Sequence, residues 1–474
     1  MTTPRHPRTG LQASARGVLG EVLDPASYRA VVSRAKCPVA AVLISYSLLN
    51  FGLTAVLSQL LGSRHFGEYA VVITIAGIFR LLASLSLEGS MAKFIAESGE
   101  RDPAGMKAFY GAGLATRLAA GLAALLLAAA CARWLTGLYH VPHLAPTLAA
   151  AACYLCLLAP VAGFFLSCIQ GREQPSRWST ATLANAFLVF PAAVIGALGF
   201  ARWGLTGMLL CFAAGWALAA FVSGLFARRA MGFTWAPPDA AHLRLLLAFV
   251  APLWFGDLIS QGAHVVLKSY LAVKAGPVPV GQFEIAVSLL FQVGTLYSAI
   301  MIVFLPTWAR LYAAERGAEL LESFTRARAV IIGIAAFIGF GIALTGQWLI
   351  PLIFGRDQLG AVPAARVMGL LMPLTFSSWV TLSTFVISNR TSLSARANIL
   401  WFCIVVPLGL ALIPALGSLG CSLAFLVAYI AFCWYVITRA RPFFATLRAW
   451  AQREAEASRD ESGAAPVGRP DPSG

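Results

Sequence analysis

The sequence predicts an all-α polytopic membrane protein of about twelve transmembrane helices, built as two parallel six-helix repeats. Hydrophobic residues make up 59% of the 474 positions and charged residues only 12%, about half the charged fraction of ordinary soluble domains. The apolar residues fall in blocks of about twenty, the helix length that crosses a hydrocarbon core of about 30 Å. These observations exclude a soluble protein, and an internal duplication predicts the two repeats.

Twelve apolar blocks are predicted to span the membrane. In chain order they are 39–61, 69–90, 109–131, 147–169, 179–200, 204–227, 246–272, 283–305, 329–351, 364–387, 397–415 and 418–438. Of the 35 Lys and Arg residues, 26 lie in the alternate segments that include both termini, and only 5 lie in the loops of the other side. Because basic residues collect in short cytoplasmic loops, both termini are predicted to be cytoplasmic.

The chain divides into four predicted segments. Residues 1–36 form a basic cytoplasmic segment without the cleavage pattern of a secretory signal. Residues 37–230 and 245–441 form the N-terminal and C-terminal six-helix bundles. Residues 442–474 begin with three aromatic residues and a leucine, typical of a surface-lying helix, and then turn to Glu, Ser, Gly and Pro. That composition predicts a cytoplasmic, mostly disordered tail.

Several chemistries find no support in the sequence. Cys153 and Cys156 form a CxxC motif, but apolar residues surround it and no second pair completes a metal or redox site. The chain has no GxxxxGK[ST] motif for ATP. The net charge of +15 follows the membrane orientation and does not indicate nucleic-acid binding. We therefore predict no catalytic residues, no metal, no cofactor and no nucleic-acid partner.

Matching landmarks recur at a nearly constant offset along the chain. Pro38 and Gly62 recur 214 residues later, as Pro252 and Gly276. Three further matches share an offset of 213 residues, namely Pro160 with Pro373, Asn185 with Asn398, and Gly204 with Gly417. Each half holds six spans, an even number, so both halves enter the membrane in the same orientation. Parallel repeats of this kind are related by an axis along the membrane normal, and such transporters bind substrate between the halves.

The seventh span carries a polar stripe. Its members fall within about 60° of one another on a helix: Asp257, Gln261, His264 and Lys268. Ionisable residues inside spans are costly, and they usually face a cavity or a partner helix. The first span carries a matching face, Ser47, Asn50 and Thr54, which a shift of 214 places on the last three members of the stripe. We predict that both faces line a central cavity. Asp257 and Lys268 are about three turns apart, too far to pair with each other, so the alternative is that each caps a helix or pairs with a nearby group.

Two arginines lie inside the N-terminal spans. Arg80 lies near the middle of the second span, where it either lines a cavity or pairs with an acid of another helix. Arg117 lies about two turns into the third span, where its side chain either has a function or extends to the interface. The predicted cavity set is Arg80, Arg117, Lys268, His264, Gln261, Asn50, Ser47 and Thr54. The candidates for ion coupling are Asp257, Glu284 and Glu88.

The runs Leu60-Leu-Gly-Ser-Arg-His-Phe-Gly-Glu-Tyr69 and Leu85-Ser-Leu-Glu-Gly-Ser-Met-Ala-Lys-Phe-Ile-Ala96 resemble the opening of a known family. The second half agrees in Val280-Gly281, Leu305-Pro306, Ile353-Phe-Gly-Arg356 and Gly417-Ser-Leu-Gly420. From about 37 to 440 the chain is similar to the polysaccharide-biosynthesis flippases, the oligosaccharide branch of the multidrug/oligosaccharidyl-lipid/polysaccharide (MOP) exporter superfamily. These motifs are loose placements of glycine and proline, so they indicate a superfamily better than a substrate.

The resemblance implies two six-helix bundles around a central cavity in the bacterial inner membrane. It implies transport of an undecaprenyl-diphosphate-linked oligosaccharide to the outer leaflet, with membrane lipids and polysaccharide-assembly proteins as partners. The cavities of this family are typically basic because the head group carries a diphosphate. Arg80, Arg117 and Lys268 fit that expectation, whereas Asp257 fits better as a coupling site for H⁺ or Na⁺. The alternatives are a cation antiporter of the related multidrug (MATE) branch and, less favoured, a membrane enzyme.

Overall fold

The computed structural model describes residues 25–98, 102–172, 174–232, 237–388 and 390–463. Within these ranges the chain is helical and contains no strand. The α-helices are α1 (Pro25–Ser84), α2 (Leu87–Ser98), α3 (Pro103–Leu138), α4 (Ala145–Ala152), α5 (Ala159–Gly171), α6 (Pro175–Leu198), α7 (Phe200–Met231), α8 (Ala240–Ala275), α9 (Pro277–Ala313), α10 (Gly317–Phe354), α11 (Val362–Ile387), α12 (Thr391–Leu416) and α13 (Ser418–Gly463). A π-helical segment, Cys153–Leu158, joins α4 to α5.

The predicted number of spans is confirmed among the described residues. Eleven helical stretches are long and apolar enough to cross a membrane, and the first of them, Ser47–Ala96, covers 50 residues. Gly62 interrupts that stretch with a non-helical backbone (φ 68°, ψ 174°). The stretch therefore contains the first two predicted spans, and the total is twelve.

The backbone repeats at the positions that the duplication predicts. Gly62 and Gly276 have φ angles of 68° and 83°, and Gly204 and Gly417 have φ angles of 63° and 56°. Glycine adopts this left-handed region without the steric cost that a Cβ brings. An even number of spans separates these four glycines, so all of them lie at one end of the bundle, named here the glycine end. The opposite end, which carries most of the Lys and Arg residues, is named the basic end.

The two halves contact each other at the glycine end. A Cβ on Gly67 would lie only 2.5 Å from the carbonyl oxygen of Pro277, and a Cβ on Gly281 would lie 3.0 Å from the Cα of Gly67. Gly67 and Gly281 are 214 residues apart, so repeat-related positions touch each other. Such self-contact is typical of residues near a two-fold axis. The pseudo-two-fold axis between the halves therefore passes close to these two glycines.

Hydrogen bonds close the same end. The Ser58 hydroxyl donates to the carbonyl oxygen of Phe354 at 3.0 Å. The Gln59 amide donates to the carbonyl oxygen of Ile353 at 2.6 Å. Both acceptors lie in the last turn of α10, where helix carbonyls lack partners within the helix. The N-terminal half therefore caps a helix of the C-terminal half at the glycine end.

The first part of the C-terminal tail, which was predicted to begin with a surface-lying helix, is helical in the described residues. Helix α13 continues without interruption to Gly463. The Phe443 ring stacks on Tyr312 with a centroid distance of 5.4 Å, and the Glu454 carboxylate accepts from the N–H groups of Gly317 and Ala318 at 2.7 and 3.2 Å. These N–H groups begin α10 and need external acceptors, so Glu454 holds the tail against the bundle. The outer parts of the two predicted terminal segments, 1–24 and 464–474, lie outside the described residues.

Candidate functional site: a cavity between the halves

A cavity of about 700 Å³ lies between helices α1–α3 of the N-terminal half and α8 of the C-terminal half. It extends from the middle of these spans toward the basic end, because its lining runs from Arg80 and Gln261 to Lys93 and Phe249. Its charged and amide side chains are Arg80, Glu88, Lys93, Arg117, Asp257 and Gln261. Volumes of about 300–1,000 Å³ are typical of sites that bind small molecules. Five of these six residues were predicted to have a role.

The wall of the cavity contains a break between α1 and α2. Leu85 and Ser86 both have φ near 47°, an uncommon conformation for residues other than glycine. The break frees backbone carbonyls, and the buried Arg117 side chain binds two of them. Its Nη1 donates to the carbonyl oxygens of Ala83 at 3.2 Å and Ser84 at 3.1 Å. Arg117 therefore stabilises the break.

The two arginines of the cavity are in different states. Arg117 is only 2% exposed, and its Nη2 lies 3.4 Å from a carboxylate oxygen of Glu88. Arg117 does not extend to the interface, because its guanidinium is held in the bundle by the break and by Glu88. The Arg80 side chain is exposed, and among the described residues it forms no salt bridge. Arg80 therefore offers to the cavity a positive charge that no salt bridge of the described residues engages.

Helix α8 meets the N-terminal half along the cavity. The Ser86 hydroxyl hydrogen-bonds to the Asp257 carboxylate, and the Trp254 indole N–H donates to the carbonyl oxygen of Leu81 at 3.1 Å. The Lys93 ammonium lies 4.0 Å from the centre of the Phe249 ring. The break in the second span thus contacts both its own bundle and the opposite half.

The polar stripe of α8 divides between two environments. Asp257 and Gln261 line the cavity, whereas the His264 ring packs 4.7 Å from Phe425 and 5.6 Å from Trp401 inside the C-terminal bundle. The structure therefore does not bring His264 together with Arg80. His264 and Lys268 share the face of Asp257 and Gln261, but they lie closer to the glycine end, where α9, α12 and α13 supply their contacts.

Lys268 belongs to the C-terminal bundle as well. Its ammonium forms a salt bridge with Glu284 of α9, and the two side chains are 16% and 28% exposed. Lys268 is therefore not placed with Arg80 in one basic cavity, contrary to the predicted grouping. Glu284, on the next helix, neutralises the Lys268 ammonium. This is the local pairing that the sequence analysis gave as the alternative.

The three polar residues of the first span also lie in different environments. The Ser47 hydroxyl hydrogen-bonds to Gln292 of α9 across the halves. Asn50 lines a cavity of only about 20 Å³ inside the N-terminal bundle, and the Thr54 hydroxyl donates to the carbonyl oxygen of Asn50 at 3.1 Å. None of these three residues lines the cavity that contains Arg80. The faces of the two opening helices match in sequence but do not meet in one cavity.

Sequence reasoning missed three residues of this site, namely Lys93, Ser86 and Trp254. The run Leu85-Ser-Leu-Glu-Gly-Ser90 held a signal for the break, because clustered serine and glycine are typical of helix interruptions. The contact between Trp254 and Leu81 carries no local signal, because it joins residues from different halves. In the part of the chain that the structure describes, no three His, Cys, Asp or Glu residues are placed to hold a metal ion.

The sequence profile of the family described as polysaccharide biosynthesis protein matches residues 39–312, more than half of the chain. The chain belongs to this family. No curated protein matches the chain significantly. The family membership confirms the resemblance found in the loop motifs, and it assigns a multi-pass membrane protein of the transporter type without naming its substrate.

Solved structures of the MOP superfamily share the fold. An inward closed conformation of the lipid II flippase MurJ has a TM-score of 0.66 at 14% identity, covering 84% of this chain and 87% of that one. An inward-facing multidrug resistance MATE transporter also has a TM-score of 0.66, at 17% identity, with coverage of 86% and 99%. A Pyrococcus furiosus MOP superfamily transporter, described as having a binding pocket of reverse polarity, has a TM-score of 0.57 at 15% identity, with coverage of 88% and 96%. At these identities the likeness shows the fold alone.

Proposed function

We propose that this protein is a flippase for an undecaprenyl-diphosphate-linked oligosaccharide. It moves the head group from the cytoplasmic to the outer leaflet of the bacterial inner membrane by alternating access. The observation that carries the proposal is Arg80, an exposed cation without a salt bridge among the described residues, in a cavity of about 700 Å³ between the halves. Membership of the polysaccharide biosynthesis family supports a sugar-linked substrate.

The charge of the cavity suits a diphosphate. In a medium of intermediate polarity, one charge pair 4 Å apart contributes about 4 kcal/mol, and arginine can bind phosphate oxygens through two N–H groups. Arg80 supplies that cation directly. Arg117 supports it by holding the break that shapes the wall, with its own charge balanced by Glu88. Arg80 is therefore the primary ligand for the diphosphate, and Arg117 positions the wall.

Asp257 is our candidate for coupling to an H⁺ or Na⁺ gradient. It lines the cavity and bonds to Ser86 of the opposite half, so a change in its charge would act on the contact between the halves. Glu88 and Glu284 are less suited to this role, because each already neutralises a cation. Replacing Asp257 with Asn should alter the gradient dependence of transport. An unchanged gradient dependence would remove Asp257 from the coupling role.

The direct test is flipping in proteoliposomes that contain an undecaprenyl-diphosphate-linked sugar. We expect Arg80→Ala to reduce the flipping rate at least tenfold, a loss of about 1.4 kcal/mol, and Arg80→Lys to retain part of the rate. Arg133→Ala is the matched control, because Arg133 is exposed and lies outside the cavity. Export of amphipathic cations without flipping of any lipid-linked sugar would instead establish the antiporter of the multidrug branch.

A further inference from the structure

A second cavity, of about 160 Å³, lies inside the C-terminal bundle beside the first. Gln261 lines both cavities, so the two are adjacent. Aromatic rings and neutral polar groups make up its lining, among them His264, Asn398, Trp379, Trp401 and Tyr429. No carboxylate, ammonium or guanidinium group contributes to that lining among the described residues. The lining therefore suits a neutral occupant.

Two buried polar atoms in this lining have no hydrogen-bond partner in the described part of the chain. They are Nδ1 of His264 and Nε1 of Trp401, and Trp401 is only 4% exposed. Buried polar groups in native proteins nearly always have a partner. An occupant that carries its own hydrogen-bonding groups would satisfy both atoms.

The size and chemistry of the cavity fit one sugar ring. The volume of about 160 Å³ is below the roughly 300 Å³ at which cavities for drug-sized ligands begin, so an oligosaccharide or a lipid tail does not fit. A pyranose has an apolar face that packs against aromatic rings, which themselves supply large apolar surfaces. Its hydroxyls can bond to the Asn398 amide, the imidazole and the indole N–H. The lining offers both kinds of contact at once.

Among the described residues, the matching region of the N-terminal half encloses much less space. The repeat places Asn50 opposite His264, Asn185 opposite Asn398, and Trp216 opposite Tyr429. The three N-terminal residues surround a space of only about 20 Å³, which has room for about one water molecule. The larger cavity is therefore not a general consequence of the duplicated fold.

We propose that the C-terminal cavity binds one neutral sugar ring of the transported head group while Arg80 binds the diphosphate. This inference rests on the proposed function. It assigns the two parts of the head group to the two halves of the protein. The ligand chemistry is that of a sugar ring, which either a lipid-linked head group or a free sugar could supply, so the experiment separates these sources.

The test measures dissociation constants of the full-length protein in nanodiscs. The probes are undecaprenyl diphosphate, the same lipid carrying one glucose or one N-acetylglucosamine, and each free sugar. We expect at least one glycosylated lipid to bind about tenfold tighter than the bare lipid. Trp401→Phe removes the indole N–H and keeps an aromatic ring, so it should reduce that preference several-fold without changing the affinity for the bare lipid. Asn398→Ser is a second variant with the same expectation.

The controls separate this site from the basic cavity. Trp216→Phe, in the corresponding region of the N-terminal half, should change neither affinity, and Arg80→Ala should weaken both lipids by the same factor. Equal affinity for bare and glycosylated lipids, or an equal loss for both in Trp401→Phe, would overturn the sugar site and leave the flippase proposal standing. Free sugar that binds as tightly as the glycosylated lipid would also overturn it. A wild-type protein that binds no lipid probe would instead contradict the proposed function itself.

Discussion

The two halves share a backbone plan and differ in the side chains that they bring to their interface. Left-handed glycines recur at matched positions in both halves. The N-terminal half presents Arg80 without a salt bridge to any described residue, whereas the C-terminal half neutralises Lys268 with Glu284 and encloses an aromatic cavity. A fold supplies a scaffold, and the chemistry of the site resides in particular side chains. In the proposed flippase, the duplicated backbone would allow the movement between states, and the asymmetric side chains would recognise the substrate.

The largest effect should follow from breaking the symmetric contact at the glycine end. Gly67→Leu places side-chain atoms where a Cβ alone would lie 2.5 Å from the carbonyl oxygen of Pro277. Backbone on both sides prevents relaxation, so the halves can no longer close there. We expect transport in proteoliposomes to fall more than tenfold, and cysteines introduced nearby to become more accessible to thiol reagents.

The control for this prediction is Gly333→Ala. A Cβ at Gly333 meets no neighbouring atom within 4 Å, and alanine favours the helix over glycine by about 1 kcal/mol. This variant should transport normally. Wild-type transport in Gly67→Leu would show that closure at the glycine end is not part of the cycle.

Sequence predicted the fold well, because its determinants are local. The length of each apolar block, the glycines and the constant offset all act within one segment or between matched segments. The site was predicted only in part. Arg80, Arg117, Asp257 and Gln261 do line one cavity, but a helical projection cannot decide which neighbour each member of a stripe meets. Lys268 met an acid on α9, and that contact depends on the packing of two helices.

The second prediction concerns Lys268, which forms a salt bridge with Glu284, and Arg80, which forms none among the described residues. Lys268→Ala should lower the free energy of unfolding of the purified protein by about 1–3 kcal/mol. In this variant Glu284 keeps its charge in a partly buried site without its partner. Arg80→Ala should leave that free energy nearly unchanged, because no carboxylate in the described part of the chain forms a salt bridge with Arg80. Thermal unfolding in detergent measures both variants under the same conditions.

A double variant sharpens this prediction. Lys268→Met combined with Glu284→Gln removes both charges, and neutral replacement of a buried ion pair is often tolerated. The double variant should therefore recover most of the stability that Lys268→Ala loses, and it should flip lipid at a substantial rate. A double variant that is stable but inactive would restore Lys268 to the transport machinery.

The smallest effect concerns the basic end, where an aspartate caps a helix in each half. Asp102 accepts from the N–H of Gly105 at 2.9 Å at the start of α3, and Asp239 accepts from the N–H of His242 at 3.1 Å at the start of α8. The His242 side chain also hydrogen-bonds to Asp239 and packs 4.7 Å from the Phe109 ring of α3. The capped start of α8 thus contacts the opposite half.

This cap should depend on pH. The side-chain hydrogen bond from His242, followed by the backbone bond, holds the pKa of Asp239 below its ordinary value. Because the folded pKa is lowered, the stabilisation is present above the ordinary pKa of about 3.9 and is lost as the pH falls through the folded value. Amide exchange at the first turn of α8, corrected for its intrinsic rate, should therefore accelerate below about pH 4.

Asp239→Asn, which keeps a capping oxygen, should make the corrected exchange independent of pH in this window. The same acceleration in that variant would show that another group controls the contact between α3 and α8.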